Sequence, residues 1–300
     1  MKKLMTYIFS AILLVMLAAS CQTEITMPYR SITPMMVIEG SVCQDSAVVY
    51  LTQSIDMEEP FEKMDSVSGA SVRISYDGTE LPLVEKARGV YGPEGEFHGK
   101  PGTAYTLKVS YEGNEYSSTS VMNPSITILK SGYRFMDIAG IKCWLYSATL
   151  LDTPGQDNYY VYYVYKHGEM TSWDILYDLG NDGGFIMVDV PIMTWDTIPE
   201  GTELPEDFKM VENGDEVRVE IRSIDKKTYD YLYSLAVTIM TYANAAKDFT
   251  VKSDSATPPV CLGYFSSYSS VSTSEVFNSE VTYTLEGLFP GGLFNPQMAE

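Results

Sequence analysis

The chain has 300 residues, of which 40 are acidic and 20 basic, for a formal charge of −20. It lacks the basic stripe that phosphate backbones require, which excludes nucleic acid as a partner and disfavours a face that adheres to anionic lipid. Acidity of this kind serves solubility and does not imply a cationic ligand, while 23 tyrosines alongside abundant Val, Thr and Ser favour half-buried strands and a mainly β fold.

Lys2 and Lys3, the apolar stretch Leu4 to Leu17 and the small residues Ala18-Ala19-Ser20 predict an export signal over residues 1–20. The stretch is too short to span a bilayer, which takes about 20 apolar residues. It stops at Cys21, and the segment resembles a bacterial lipobox, whose cysteine is lipidated on its thiol and acylated on its freed amine. Ala18 stands where Leu is usual and Leu17 lies one place earlier, a relaxed form similar to that of Bacteroidota lipoproteins. An ordinary secretory peptide with an incidental cysteine is the alternative. Acyl chains contribute about 0.8 kcal/mol per buried CH₂, and stable attachment takes more than one. The expectation is therefore an outer-membrane lipoprotein anchored at Cys21, with the leaflet open. Cleavage leaves 18 basic and 40 acidic side chains, 18 − 40 = −22. Cys43, Cys143 and Cys261 then remain, as free thiols or with one disulfide among them.

Residues 21–34 are polar, contain two prolines and read as a tether; residues 22–34 reach roughly 43 to 47 Å when extended. Two domains are expected beyond it. Residues 35–124 read as about seven short strands, an immunoglobulin- or fibronectin-like β-sandwich. Asp77-Gly78 suits a two-residue turn with positive φ, and Glu112-Gly113-Asn114 turns the clearest hairpin. Asn123-Pro124 marks the boundary to a larger β-rich domain, residues 125–300. Its strands are expected at 125–135, 141–151, 159–167, 173–179, 185–190, 217–224, 260–276 and 281–285. In DKKTYDYLYSLAVTIMTYANAAKD the spacing of Leu232, Leu235, Ile239, Tyr242 and Ala246 predicts one long α-helix over 226–247, with Asp225 as N-cap.

Motifs for chemistry are sparse. His98 and His167 sit in no metal-ligand spacing, and neither a GxSxG elbow nor a P-loop is present. Ser223 and Lys226 match an SxxK string, but Ser223 and Asp225 are better explained as helix-start residues. DILYDLGNDGG, residues 174–184, offers Asp174, Asp178, Asn181 and Asp182 as oxygen ligands for a cation, without EF-hand spacing; an ordinary acidic hairpin loop is the competing reading. NYYVYYVYK, residues 158–166, puts Tyr159, Val161, Tyr163 and Tyr165 on one strand face and Tyr160, Tyr162 and Val164 on the other. It is either a central strand covered by the helix on one side and loops on the other, or an aromatic face for a sugar or peptide. The second reading nominates Tyr160, Tyr162, Trp173, Trp195, Tyr264 and Phe265. Phe289 and Phe294 are tail anchors or partner contacts. No cofactor is expected.

The lipobox is followed in order by MVIEGSV (36–42), VVYLTQS (48–54), VSGASVRIS (67–75), GVY (89–91), KPGTAYTLKVSYEGNEYSSTS (100–120), TYDYLYSL (228–235) and LGYFSSYS (262–269). Together these resemble the domain of unknown function 4249 family of predicted Bacteroidota outer-membrane lipoproteins. A glycine-rich run before the late aromatic pair is reduced here to Cys261-Leu262-Gly263. The resemblance implies an envelope location and company with TonB-dependent receptors, and it implies no catalytic residues. The function expected is a non-catalytic accessory or ligand-binding partner of such a receptor in nutrient uptake. A structural or adhesive surface lipoprotein of fimbrial type is the alternative, and a glycan-acting enzyme using two carboxylates the third.

Overall fold

The computed structural model describes residues 34–55, 65–138, 140–178, 182–198, 201–203, 209–241, 248–253, 255, 259–283 and 288. The signal, Cys21, most of the tether, Asn181, the helix stretch 242–247, Phe289 and Phe294 lie outside them. The fold is mainly β with one long α-helix.

The first seven strands are β1 (Met36–Val42), β2 (Ala47–Gln53), β3 (Ser71–Tyr76), β4 (Thr79–Ala87), β5 (Val90–Pro93), β6 (Ala104–Tyr111) and β7 (Asn114–Val121). Alternation decides which side of each is buried: Ile38 and Val42 of β1, Val49 and Leu51 of β2 and Tyr105, Leu107 and Val109 of β6 share one core. Asp77-Gly78 and Glu112-Gly113 both have positive φ at each residue, the geometry of a type I′ turn, as does His167-Gly168 further on.

The larger half continues with β8 (Thr127–Ile138), β9 (Ile141–Leu151), β10 (Tyr159–Lys166), β11 (Glu169–Tyr177), β12 (Phe185–Ile192) and β13 (Glu216–Ile224). There follow α1 (Lys226–Thr241), β14 (Thr250–Ser253), β15 (Cys261–Ser267) and β16 (Ser269–Val276). The Asp225 carboxylate accepts the Thr228 N–H at 2.9 Å, so the helix starts at its expected cap. The single strand expected over 260–276 is two, broken at Tyr268; of the strand expected over 281–285, Val281 to Tyr283 form none, although the Tyr283 N–H donates to the Tyr133 carbonyl of β8 at 2.7 Å, and residues 284 and 285 lie outside the described residues.

Pairing departs from the expected division into an N-terminal sandwich and a separate domain. Residues 36–121 do not form two separate layers. They join β14 and β15 in one nine-stranded sheet, ordered β14-β7-β6-β3-β4-β5-β2-β1-β15, with β15 parallel to β1. The sheet curls until its last strand meets β7: Ser267 N–H donates to Ser120 Oγ at 2.7 Å and Ser267 Oγ donates to the Ser120 carbonyl at 3.0 Å. The physical reason is that strand periodicity reports which face is buried and is silent on which distant strand will pair. A two-layer packing appears instead in the second half. Sheets β11-β10-β13-β16 and β12-β9-β8 face each other over a core that includes Tyr146, Leu150, Tyr160, Val164, Val188, Val219 and Ile221.

The chain passes from the curled sheet to the two-layer half at Tyr268, between β15 and β16, and residues 34–300 form one compact unit. A third apolar cluster sits where α1 packs against β10, β11 and β15, and it contains Tyr159, Val161, Ile224, Tyr231 and Leu232. Burying a side chain such as Leu232 contributes about 1.5–3 kcal/mol. Cys43, Cys143 and Cys261 are free thiols. Among the described residues, no helix is long and apolar enough to cross a membrane.

Candidate functional site: a tyrosine-lined cleft

The composition of β10 becomes meaningful once its two faces are placed. Tyr160, Tyr162 and Val164 point into the two-layer core, while Tyr159, Val161 and Tyr163 lie under the helix. The strand is therefore central, covered by α1 on one side as expected and by the opposing sheet, not loops, on the other.

Neighbouring β13 alternates in the same way. Val217, Val219 and Ile221 are buried inward, which leaves Arg218, Glu220 and Arg222 on the helix side. Arg222 Cζ lies 4.3 Å from the centre of the Tyr163 ring and 4.5 Å from that of Tyr268, and Arg218 Cζ lies 3.8 Å from that of Tyr165. Glu220 links the two cations, accepting from Arg222 Nε at 2.7 Å and from Arg218 Nη1 at 3.3 Å. Such cation–π contacts contribute about 0.5–2 kcal/mol each, more where water is excluded.

Opposite this row stands the outer face of the curled sheet, where the parallel β1–β15 register sets Glu39 beside Tyr264 and Ser41 beside Ser266. The space between holds a cleft of about 270 Å³, lined by Tyr50, Tyr163, Tyr264, Tyr268, Arg222 and the first turn of α1 at Thr228, among others. Thr228 and Ser266 also line it, and their buried hydroxyl oxygens have no hydrogen-bond partner among the described residues. A buried polar group left unpaired costs about 1–3 kcal/mol.

Burial raises the phenols around the cleft. Tyr163, Tyr264 and Tyr268 sit above the ordinary tyrosine range, and Tyr231, which packs 5.0 Å from Tyr264 between ring centres, is pushed up to about 12. They are neutral donors at physiological pH. Because the folded-state values lie above the unfolded value of 10.0, their contribution to stability is complete below about pH 10 and is lost as pH rises through the folded values. We expect alkaline titration followed by ultraviolet absorbance to show a buried set of tyrosines that ionises only as near-ultraviolet circular dichroism collapses. Complete ionisation near pH 10 with the dichroism intact would contradict this.

The six aromatic residues nominated from sequence do not form one site. Tyr264 lines the cleft, and Trp173 packs beside it in the helix cluster. Tyr160 and Tyr162 serve the opposite face of β10, and Tyr160 donates to Asp152 Oδ1 at 2.5 Å. Phe265 is inside the curled sheet, because adjacent strand residues point to opposite sides. Trp195 is 65% exposed and donates to Glu212 Oε1 at 3.2 Å. Tyr163, Arg222 and Thr228 were missed. The signal for Tyr163 was available in its shared parity with Val161, whereas Arg222 reads in sequence as part of a solvated row of charges.

Of the acidic loop, Asp178 and Asp182 come together with Asp152 from the end of β9, their ligand atoms within 4.8 Å of one another, and Asp174 is exposed elsewhere on β11. These three are the residues that could hold a cation. Asp152 accepts the Gly183 N–H at 3.1 Å and Asp182 accepts the Gly155 N–H at 2.6 Å, so the carboxylates also stitch two loops together. Burial raises the Asp178 carboxyl. His167 is a turn residue 3.7 Å from Asp215, and His98 is exposed beside Glu96. Ser223 Oγ accepts the Ile126 N–H while Lys226 pairs with Asp230, which separates the two ends of the SxxK string.

A family model described as Domain of unknown function (DUF4249) matches residues 22–274, a span that includes both halves of the fold and every residue lining the cleft. The chain belongs to that family. No curated protein matches it.

Proposed function

We propose that this DUF4249 member is an acyl-anchored cell-envelope lipoprotein, held at the outer membrane through Cys21, that acts as a non-catalytic, ligand-binding accessory of a TonB-dependent nutrient-uptake receptor. The lipobox-like LAASC at 17–21 supports the anchor, and the polar tether supports a folded unit held clear of the bilayer. The observation that carries the binding role is the cleft, where aromatic rings and one guanidinium converge in a concave site. In this reading the curled sheet is the spacer or dock. An immunoglobulin- or fibronectin-like classification fits β8–β13 with β16 better than residues 35–124, because there the path crosses between a three-stranded and a four-stranded layer.

The test is fractionation and affinity capture of the tagged full chain from detergent-solubilised membranes. Wild type should sediment with membranes and bring a TonB-dependent receptor with it, and Cys21→Ser should appear in the soluble fraction. Firm membrane attachment of Cys21→Ser would remove the anchor, and capture of wild type with no receptor would remove the accessory role.

A further inference from the structure

We propose that the cleft binds a small organic carboxylate, with the carboxylate seated on the Nη edge of Arg222. This names the ligand class of the binding role above and rests on it. Three observations converge. Arg222 uses Nε for Glu220, while among the described residues its two Nη nitrogens have no hydrogen-bond partner. The Tyr163 and Tyr268 rings beside its guanidinium leave the edge as the group's remaining polar surface. Thr228 and Ser266, 2% and 3% exposed, line the same space, and their buried hydroxyls have no hydrogen-bond partner among the described residues.

The chemistry of these groups selects the class. A guanidinium fork matches the two oxygens of a carboxylate, and the charge-assisted pair is strong where water is excluded. Arg222 is the one cation among the residues that line the cleft. A dianionic phosphate would therefore be under-neutralised, the more so with Glu39 and Glu220 nearby in a chain of net charge −20. A neutral sugar would leave the fork without a matching partner. Thr228 belongs to the first turn of a 16-residue helix, whose positive dipole end favours an anion on that side. A volume of about 270 Å³ lies just below the usual range for ligand sites, which limits the occupant to the size of an amino acid or a sugar acid. The body of such a ligand meets the aromatic wall at Tyr50 and Tyr264.

The experiment is ligand-observed NMR and calorimetry on the full chain in detergent. The probes are a library of monocarboxylates no larger than a hexuronate, each paired with its primary amide, with glucose as the neutral sugar. At least one carboxylate should bind while its amide does not. Arg222→Gln and the charge-retaining Arg222→Lys should each weaken it by about tenfold or more. Circular dichroism checks that each variant folds. Equal binding of acid and amide, unchanged affinity in folded Arg222→Lys, or binding by no carboxylate overturns the inference. Binding of an amide or of glucose that is lost in Tyr264→Ala overturns the carboxylate but keeps a binding site. Receptor capture tests the accessory role separately, since it needs no ligand.

Discussion

Gly263→Ala should abolish folding or cost more than about 3 kcal/mol, a large part of the 5–15 kcal/mol that holds a typical domain together. Gly263 has φ +105° and stands in parallel register with Ile38. A Cβ there would overlap the Ile38 carbonyl oxygen and lie 2.6 Å from its carbonyl carbon. Backbone strain alone costs about 1–3 kcal/mol at such a φ. The collision adds to it, because the atoms in the way are main chain and can yield only if β1 and β15 separate. Gly78→Ala is the control: φ is also positive there, at +75°, but an added Cβ meets nothing within 4 Å, so the cost should be about 1–2 kcal/mol. Urea denaturation of the two variants checks the difference. A Gly263→Ala midpoint equal to that of Gly78→Ala would show that the parallel pairing is not as tight as described. The glycine retained in Cys261-Leu262-Gly263 thus has a structural reason, close approach of two backbones, that the reduced run did not reveal.

Asp248→Ala should destabilise the fold by about 2–5 kcal/mol and loosen the seam that closes the nine-stranded sheet. The Asp248 side chain is 4% exposed, and its Oδ2 accepts both the Ser118 hydroxyl at 2.7 Å and the Phe265 N–H at 2.9 Å. It therefore bridges β7 and β15, strands that the hydrogen-bonded order places far apart. Truncation strands two buried donors at about 1–3 kcal/mol each. Lys227, 3.7 Å away and well exposed, adds little. Asp248→Asn can still accept both bonds and should cost less. Hydrogen exchange provides the local readout: the amides of Phe265 and Ser267 should exchange faster in Asp248→Ala than those of Leu107 and Val109 in the middle of β6. Uniform acceleration would mean that the residue acts on global stability and not on the seam.

The fold was legible where its cause is local. Asp225 caps the helix because its side chain reaches the third N–H beyond it, and Asp77-Gly78 turns because Gly78 accepts positive φ at no cost. The faces of β10 followed from period two alone. The partner strands did not, since β1 pairs with β15 across more than two hundred intervening residues and nothing in MVIEGSV specifies CLGYFSS as its neighbour. The candidate site suffered from the same gap. Tyr264 and Phe265 are adjacent in sequence and lie on opposite sides of one sheet wall. EVRVEIRSI reads as a strand with a solvated charged face, yet Tyr163, Tyr165 and Tyr268 stack on its arginines and turn Arg222 from a surface charge into a lining residue of a cleft.

By itself the sequence determined the family, the β-rich composition with one long helix, the helix start and the inward or outward direction of most strand residues. These depend on interactions within a few residues or on a repeating pattern. Tertiary structure alone decided that β15 closes the sheet begun by β1, that the two-layer half lies after residue 124, and that residues from β1, β2, β10, β13, α1 and β15 meet in one cleft. Long-range pairing is selected by which complete set of faces can be buried together, a property of the whole chain that no single stretch carries.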